Sequence, residues 1–107
     1  MSKSFCENEK QITTLPLFSV IILTYLQRHF IEECIDSVLM QDYPNIELVV
    51  CDDCSADFDT QEVMLYVNKN KRSNIKNVII YKQPHNVGTT KNAQIGVDLS
   101  HGTYFKL

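Results

Sequence analysis

Hydrophobic positions follow two alternating periods along this chain. Residues 17–23 form a continuous run rich in β-branched side chains, which is typical of a strand buried on both faces of a sheet. In residues 30–39, apolar positions recur every three or four residues with acidic residues between them, so we expect an amphipathic helix there. The Tyr-Pro-Asn sequence of residues 43–45 predicts a turn, because proline cannot continue a helix.

The same alternation of strand and helix patterns continues to the end of the chain. Asp59 and Glu62 have the spacing of a capping box at the start of a second helix. Gly102 is the expected end of a third helix. The remaining predicted elements are a second strand over residues 46–51, a third strand over residues 77–81, the third helix over residues 90–99 and a fourth strand over residues 104–107. Residues 1–16 are polar and without periodicity, which predicts a loose tail.

This order of elements predicts an α/β fold, in which residues 17–107 form a Rossmann-like parallel sheet with helices on both faces. In such sheets, ligands bind at the carboxyl ends of the strands. The first predicted strand ends in Leu-Thr-Tyr at residues 23–25, and the second runs into VVCDDCSAD at residues 49–57. The third leads into His-Asn-Val-Gly at residues 85–88. We therefore expect these three segments to line one crevice.

The composition narrows the class of protein. The chain has 107 residues, of which 44% are hydrophobic and 21% charged, and these shares are typical of one globular domain rather than a disordered segment. Its net charge of -3 and its lack of basic clusters argue against nucleic acid as a partner. The apolar run of residues 17–26 is too short to span a bilayer, so we expect no membrane segment in this chain.

The cysteines are best explained as free thiols. Cys34 falls in the predicted first helix and Cys51 at the end of the second strand, where cysteine behaves as a small hydrophobic residue. A zinc site would need a second cysteine pair, and a redox pair would need cations rather than the two carboxylates between Cys51 and Cys54. The expected location is therefore the reducing cytoplasm, with the cytoplasmic face of the membrane as an alternative.

Asp52 and Asp53 are the candidates for ligand recognition. A carboxylate at a strand end accepts hydrogen bonds, so it suits a divalent cation or a ligand with N–H or O–H donors, such as a uracil ring or a ribose. The alternative is that one of these side chains caps the following loop or helix. The residues alone leave both interpretations open.

Four segments taken together resemble family 2 glycosyltransferases. They are SVIILTY (residues 19–25), IEECIDSVLMQDYPNIELVVCDDCSAD (residues 31–57), HNVGTTKNAQIG (residues 85–96) and LSHGTYFKL (residues 99–107). Their order is similar to that of the nucleotide-sugar-binding N-terminal half of inverting enzymes with the GT-A fold. The resemblance covers residues 17–107 and implies a truncated, incomplete domain of that fold.

The resemblance implies a role for each matching residue in the predicted crevice. Thr24 and Tyr25 would lie beside the nucleotide base, and Asp53 would accept a hydrogen bond from the base ring. Asp52 would support that loop or reach the ribose. Gly88 would let the backbone pass close to the donor. The alternatives are a rim aromatic packed on the helix for Tyr25 and a simple turn glycine for Gly88.

The resemblance also implies what a parent enzyme does and what this chain lacks. The parent would transfer a sugar, with inversion, from a UDP-sugar to a hydroxyl of a carbohydrate or lipid-linked acceptor. The Asp-x-Asp motif that holds Mg²⁺ or Mn²⁺, and the general base, would follow Leu107. We therefore assign no catalytic or metal-binding residue within the chain and expect no transfer by it alone. The truncated sheet would favour homo-oligomers through its exposed edge.

The chain departs from the family pattern at three places, and two alternative functions stay open. Asn92-Ala93-Gln94 stands where relatives often have Ala-Arg-Asn, so a positive contact to the donor would have to come from Lys91. Leu26 replaces an asparagine, and Cys54 replaces a glycine, which predicts a loop that needs no positive φ at Cys54. One alternative function is nucleotide binding by a fragment without catalysis. The other is a receiver-like phosphoacceptor domain, which also ends a Val-Val strand in two acids but carries them on its first strand.

Overall fold

The computed structural model describes residues 15–106 as alternating strands and helices. The strands are β1 (Phe18–Thr24), β2 (Ile46–Asp52), β3 (Ile75–Lys82) and β4 (Tyr104–Lys106), and the helices are α1 (Ile31–Leu39), α2 (Thr60–Asn70) and α3 (Thr89–Leu99). Every predicted element is present, with ends shifted by one or two residues at most. Residues 1–14, which make up most of the predicted tail, and Leu107 lie outside the described residues.

The four strands form one parallel sheet in the order β3-β2-β1-β4. Thr24 at the end of β1 pairs with Asp52 at the end of β2, which pairs in turn with Lys82 at the end of β3. The carboxyl ends of these three strands are therefore level. The segments that the sequence predicts at one edge of the sheet do lie side by side.

Helices cover both faces of the sheet, as predicted. All seven residues of β2 are buried, because this strand has a neighbour on each side and helices above and below. Neighbouring residues of a strand point to opposite faces, so Val50 packs with α1 and α2 while Val49 packs with α3. The larger core, on the α1 and α2 face, contains Ile31, Ile35, Val38, Leu39, Ile46, Leu48, Val50, Phe58, Val63, Val67 and Ile75.

The helix ends agree with the sequence in one case and differ in another. Asp59 caps the start of α2 as predicted, since its carboxylate accepts two backbone N–H groups of the first turn. The prediction for Gly102 is wrong: α3 ends at Leu99, and its cap is Ser100. A Cβ at Gly102 would lie 2.4 Å from the Ser19 hydroxyl. Glycine is therefore required there for close packing against β1, not for ending the helix.

Glu47 is a fully buried carboxylate near the amino end of β2. Its Oε1 accepts hydrogen bonds from the Ser19 hydroxyl and from the backbone N–H of His101, both at 2.7 Å. Its Oε2 accepts from the side-chain amide of Asn77 at 2.7 Å and lies 2.8 Å from Nδ1 of His101. Burial raises the pKa of this carboxyl, but the hydrogen bonds outweigh burial and hold the pKa below its ordinary value. Glu47 thus ties β1, β3 and the α3–β4 connection to β2.

Candidate functional site

The connections that follow β1, β2 and β3 enclose a cleft of about 420 Å³. Four of the five predicted site residues line it: Thr24, Tyr25, Asp53 and Gly88. The fifth, Asp52, has no exposed surface and lies below the cleft. The other lining residues are Leu23, Gln27, Asn86, Thr89 and Asn92. The structure therefore brings the predicted set to one place, with one of the two carboxylates beneath the surface.

Asp53 joins the loops around the cleft. Its side chain is 4% exposed, and its Oδ1 and Oδ2 accept the backbone N–H groups of Val87 at 2.7 Å and Gly88 at 2.9 Å. Its own N–H donates to the carbonyl of Thr24 at 2.9 Å. A carboxylate oxygen has two lone pairs, so each oxygen retains one that can accept from a ligand. Asp53 thus holds the connection after β3 and lines the cleft.

Asp52 serves its own loop. Its Oδ1 accepts the Ser55 hydroxyl at 2.8 Å, and its Oδ2 accepts the Ser55 backbone N–H at 2.6 Å. The carbonyl of Asp52 accepts the N–H of Gln83 at 2.8 Å. Of the two interpretations that the acid pair allowed, loop capping therefore describes Asp52. A contact between Asp52 and a ribose stays a prediction.

Two residues beside the cleft have left-handed backbone torsions. The φ angle is 55° at Leu26 and 63° at Cys54. The expectation that Cys54 needs no positive φ is therefore wrong. The Asp52 carboxylate binds both the N–H and the hydroxyl of Ser55, so the chain must turn sharply between these residues, and Cys54 lies in that turn. The family pattern has asparagine and glycine at these two positions, and these are the residues that adopt this torsion most readily.

Gly88 begins α3 at the edge of the cleft. It is the N-cap residue, with a φ of 89°, and a Cβ there would meet no atom within 4 Å. The requirement for glycine is therefore the torsion rather than lack of space. No N-cap side chain binds the first turn of α3, and Thr89 in that turn lines the cleft. The positive end of the helix dipole thus lies beside the cleft.

Asn92 is a cleft residue that the sequence analysis missed. It is 2% exposed, its Oδ1 accepts the side-chain amide of Gln83 at 3.0 Å, and its Nδ2 donates to the carbonyl of Cys51 at 3.0 Å. This pair of buried amides joins α3 to the ends of β2 and β3. The sequence signal that could have identified Asn92 is its position: it lies one helical turn after Gly88 and on the same helical face as the buried Gly96.

The three cysteines that the structure describes lie in different parts of the fold: Cys34 in α1, Cys51 in β2 and Cys54 in the connection after β2. Cys34, Cys51 and Cys54 are free, and burial raises the pKa of the Cys51 thiol to about 11, which keeps it protonated at neutral pH. Within residues 15–106, no three or more His, Cys, Asp or Glu side chains are grouped so that they could hold a metal ion. By itself this part of the chain therefore offers no complete protein ligand set for Mg²⁺ or Mn²⁺. No helix in it is long and apolar enough to cross a membrane.

Comparison with known families decides the class. The model for glycosyl transferase family 2 matches residues 19–106. The chain belongs to this family. An uncharacterized glycosyltransferase of Haemophilus influenzae is 31% identical over 90 residues, which are 84% of this chain and 26% of that protein. TarS of Staphylococcus aureus, a poly(ribitol-phosphate) beta-N-acetylglucosaminyltransferase, is 46% identical over 54 residues, which are 49% of this chain and 9% of TarS.

Solved structures of glycosyltransferases share the fold. The mannosyltransferase PcManGT of Pyrobaculum calidifontis, in complex with GDP-Man and Mn²⁺, matches with a TM-score of 0.70 at 21% identity, over 92% of this chain and 31% of that one. The crystal structure of S. aureus TarS 1-349 matches with a TM-score of 0.68 at 28% identity, over 83% of this chain and 26% of that one. The fold is that of GT-A glycosyltransferases, as predicted, and these findings give the phosphoacceptor alternative no support.

Proposed function

We propose that this chain is the donor-binding part of an inverting glycosyltransferase that uses a UDP-sugar. The observation that carries the proposal is the cleft at the carboxyl ends of three parallel strands, where Thr24, Tyr25, Asp53 and Gly88 meet. Membership of family 2 supports sugar transfer. A neighbour of the same fold is complexed with GDP-Man, which supports a nucleotide sugar as the donor class. The uridine base is proposed from the chemistry of the cleft.

The base is proposed to bind between Tyr25 and Asp53. The Tyr25 side chain lines the cleft and is 48% exposed, so its ring is available for stacking on a base. Asp53 can only accept, through the lone pairs that its loop leaves free, and this suits the ring N–H of uracil. Cytosine has no hydrogen on the equivalent ring nitrogen, so this nitrogen could not donate a hydrogen bond to the carboxylate. Thr24 lines the same end of the cleft.

The diphosphate is proposed to lie at the start of α3. Gly88 and Thr89 line the cleft there, and the first-turn N–H groups and the helix dipole favour an anion. Mn²⁺ accompanies the nucleotide sugar in PcManGT, so we propose Mg²⁺ or Mn²⁺ for the complete enzyme, where the cation would neutralise the diphosphate leaving group. Residues 15–106 contain no group of three or more His, Cys, Asp or Glu side chains that could hold this cation alone.

The acceptor is proposed to be a hydroxyl of a carbohydrate or of a lipid-linked chain. The relative TarS acts on poly(ribitol-phosphate), which supports a polymer hydroxyl. We place the protein in the cytoplasm because Cys34, Cys51 and Cys54 are free thiols.

A titration of the chain with UDP, monitored by two-dimensional ¹⁵N–¹H NMR, tests donor binding. This method detects a ligand even when its affinity is low. We expect UDP to shift the signals of Tyr25, Asp53 and Gly88, with weaker effects from CDP and GDP. Asp53→Ala should abolish these shifts, while Asp57→Ala, at an exposed acid of the same loop, should leave them unchanged. Donor binding is refuted if UDP shifts nothing, and the placement of the base at Asp53 is refuted if UDP binds Asp53→Ala equally well. Equal affinity for CDP or for GDP would refute the choice of uridine.

A further inference from the structure

Ser55 lies where two loops of the cleft meet. Its hydroxyl accepts the backbone N–H of Leu26 at 2.7 Å and donates to Oδ1 of Asp52 at 2.8 Å. Its own N–H donates to Oδ2 of Asp52 at 2.6 Å. Ser55 is 1% exposed and Asp52 is 0% exposed. The hydroxyl therefore links the loop after β1 to the loop after β2 and is shielded from solvent.

The Asp52 carboxylate sets the direction of these hydrogen bonds. A carboxylate only accepts, so the hydrogen of the Ser55 hydroxyl must point toward Asp52. A lone pair of the same hydroxyl then faces the N–H of Leu26. This link requires a side chain that donates and accepts at once, which alanine cannot do and threonine can.

Both loops turn sharply directly after a residue that lines the cleft. Tyr25 is followed by Leu26 at a φ of 55°, and Asp53 is followed by Cys54 at a φ of 63°. Left-handed torsions are unfavourable for leucine and cysteine, which have a Cβ, and they persist only where surrounding contacts hold the backbone. At Leu26 the contact that holds the N–H is the Ser55 hydroxyl.

We propose that Ser55 is a positioning residue for the ligand of the cleft. By holding the Leu26 N–H, its hydroxyl keeps the preceding residue, Tyr25, in the cleft that Asp53 also lines. Ser55 itself does not line the cleft, so it acts through Tyr25 rather than on the ligand. This inference rests on the proposed function, because its ligand is the UDP group that we propose for the cleft.

The variants Ser55→Ala and Ser55→Thr test the role of the hydroxyl, because alanine lacks it and threonine keeps it. Amide hydrogen exchange by NMR reports on the Leu26 N–H, and UDP titration reports on the cleft. The loss of one hydrogen bond to a buried hydroxyl corresponds to about a tenfold change, so S55A should exchange the Leu26 amide about tenfold faster and bind UDP about tenfold more weakly. S55T should restore both. Ser37→Ala is the control, because the exposed Ser37 hydroxyl bonds only within α1, and it should change neither.

Several outcomes would overturn the inference. A folded S55A that binds UDP as well as the wild type would do so, and so would S55T with the weak binding of S55A. If S55A does not fold, Ser55→Cys, with its weaker donor and acceptor, replaces it and should bind UDP less well than the wild type; equal binding counts against the inference. If the wild type binds no UDP, the proposed function fails on its own. Leu26 exchange then still decides the loop contact: unchanged exchange in S55A overturns it, and faster exchange supports it.

Discussion

Replacing Cys54 by glycine is expected to raise the free energy of unfolding by about 0.5–1 kcal/mol. Cys54 has a φ of 63°, in the left-handed region, where a residue with a Cβ loses roughly 1–2 kcal/mol and glycine loses almost nothing. Part of this gain is lost because glycine gives the unfolded chain more conformational freedom, which lowers the free energy of unfolding by about 0.5–1 kcal/mol. The remainder should raise the melting temperature by about 3–6 °C in a domain of this size.

Urea unfolding under reducing conditions, followed by circular dichroism, measures this gain. Cys54→Ala is the matched control, because it removes the thiol but keeps the Cβ and therefore the unfavourable torsion, so we expect no gain from it. Cys34→Gly, at an exposed position of α1, should instead lose about 0.3 kcal/mol. The reasoning is refuted if Cys54→Gly is no more stable than the wild type, or if Cys54→Ala gains as much.

Three further substitutions test other parts of the structure. Although burial raises the pKa of Glu47, hydrogen bonds bring it below the ordinary 4.5, so its contribution to stability is complete above that pH and is lost as the pH falls below it. Glu47→Gln should therefore cost about 1–3 kcal/mol at neutral pH and flatten the acid loss in urea unfolding, and an unchanged pH profile would contradict this. Gly102→Ala would place a Cβ 2.4 Å from the Ser19 hydroxyl and 2.8 Å from the Leu17 carbonyl, so thermal unfolding should show a loss of about 1–3 kcal/mol rather than the gain usual for Gly→Ala. Asn92→Ala removes two buried hydrogen bonds, one with Gln83 and one with the Cys51 carbonyl, and should cost about 2 kcal/mol in urea unfolding, whereas wild-type stability would show that these contacts are dispensable.

The order of strands and helices could be predicted because burial leaves a periodic trace in the sequence. β2 is buried at every position, and its sequence is an apolar run broken only at Glu47 and at its final Asp52. The reason for Glu47 could not be predicted. Its partners Ser19, Asn77 and His101 come from three separate segments, and only the assembled sheet brings them to one carboxylate.

Within the site, the sequence located the strand ends but could not divide roles between neighbouring residues. Asp52 and Asp53 are the same residue type, and it is the alternation of side chains at the end of β2 that sends one below the cleft and the other into it. The torsion at Cys54 was predicted wrongly because it depends on the hydrogen bonds between Asp52 and Ser55, whereas residue type alone favoured an ordinary torsion. Asn92 was missed because its partners lie on two other elements.

The hydrogen bonds that hold the cleft loops are accepted by the side chains of two buried residues, Asp53 and Ser55. Asp53 binds Val87 and Gly88, and Ser55 binds Leu26, so the loops share the stability of the folded core instead of opening separately. A ligand that binds such a preorganised cleft has little loop ordering to drive, and it stabilises the whole domain in proportion to the logarithm of its concentration. Thermal-shift screening of nucleotides and nucleotide sugars can therefore identify the donor without an acceptor and without any measurement of sugar transfer.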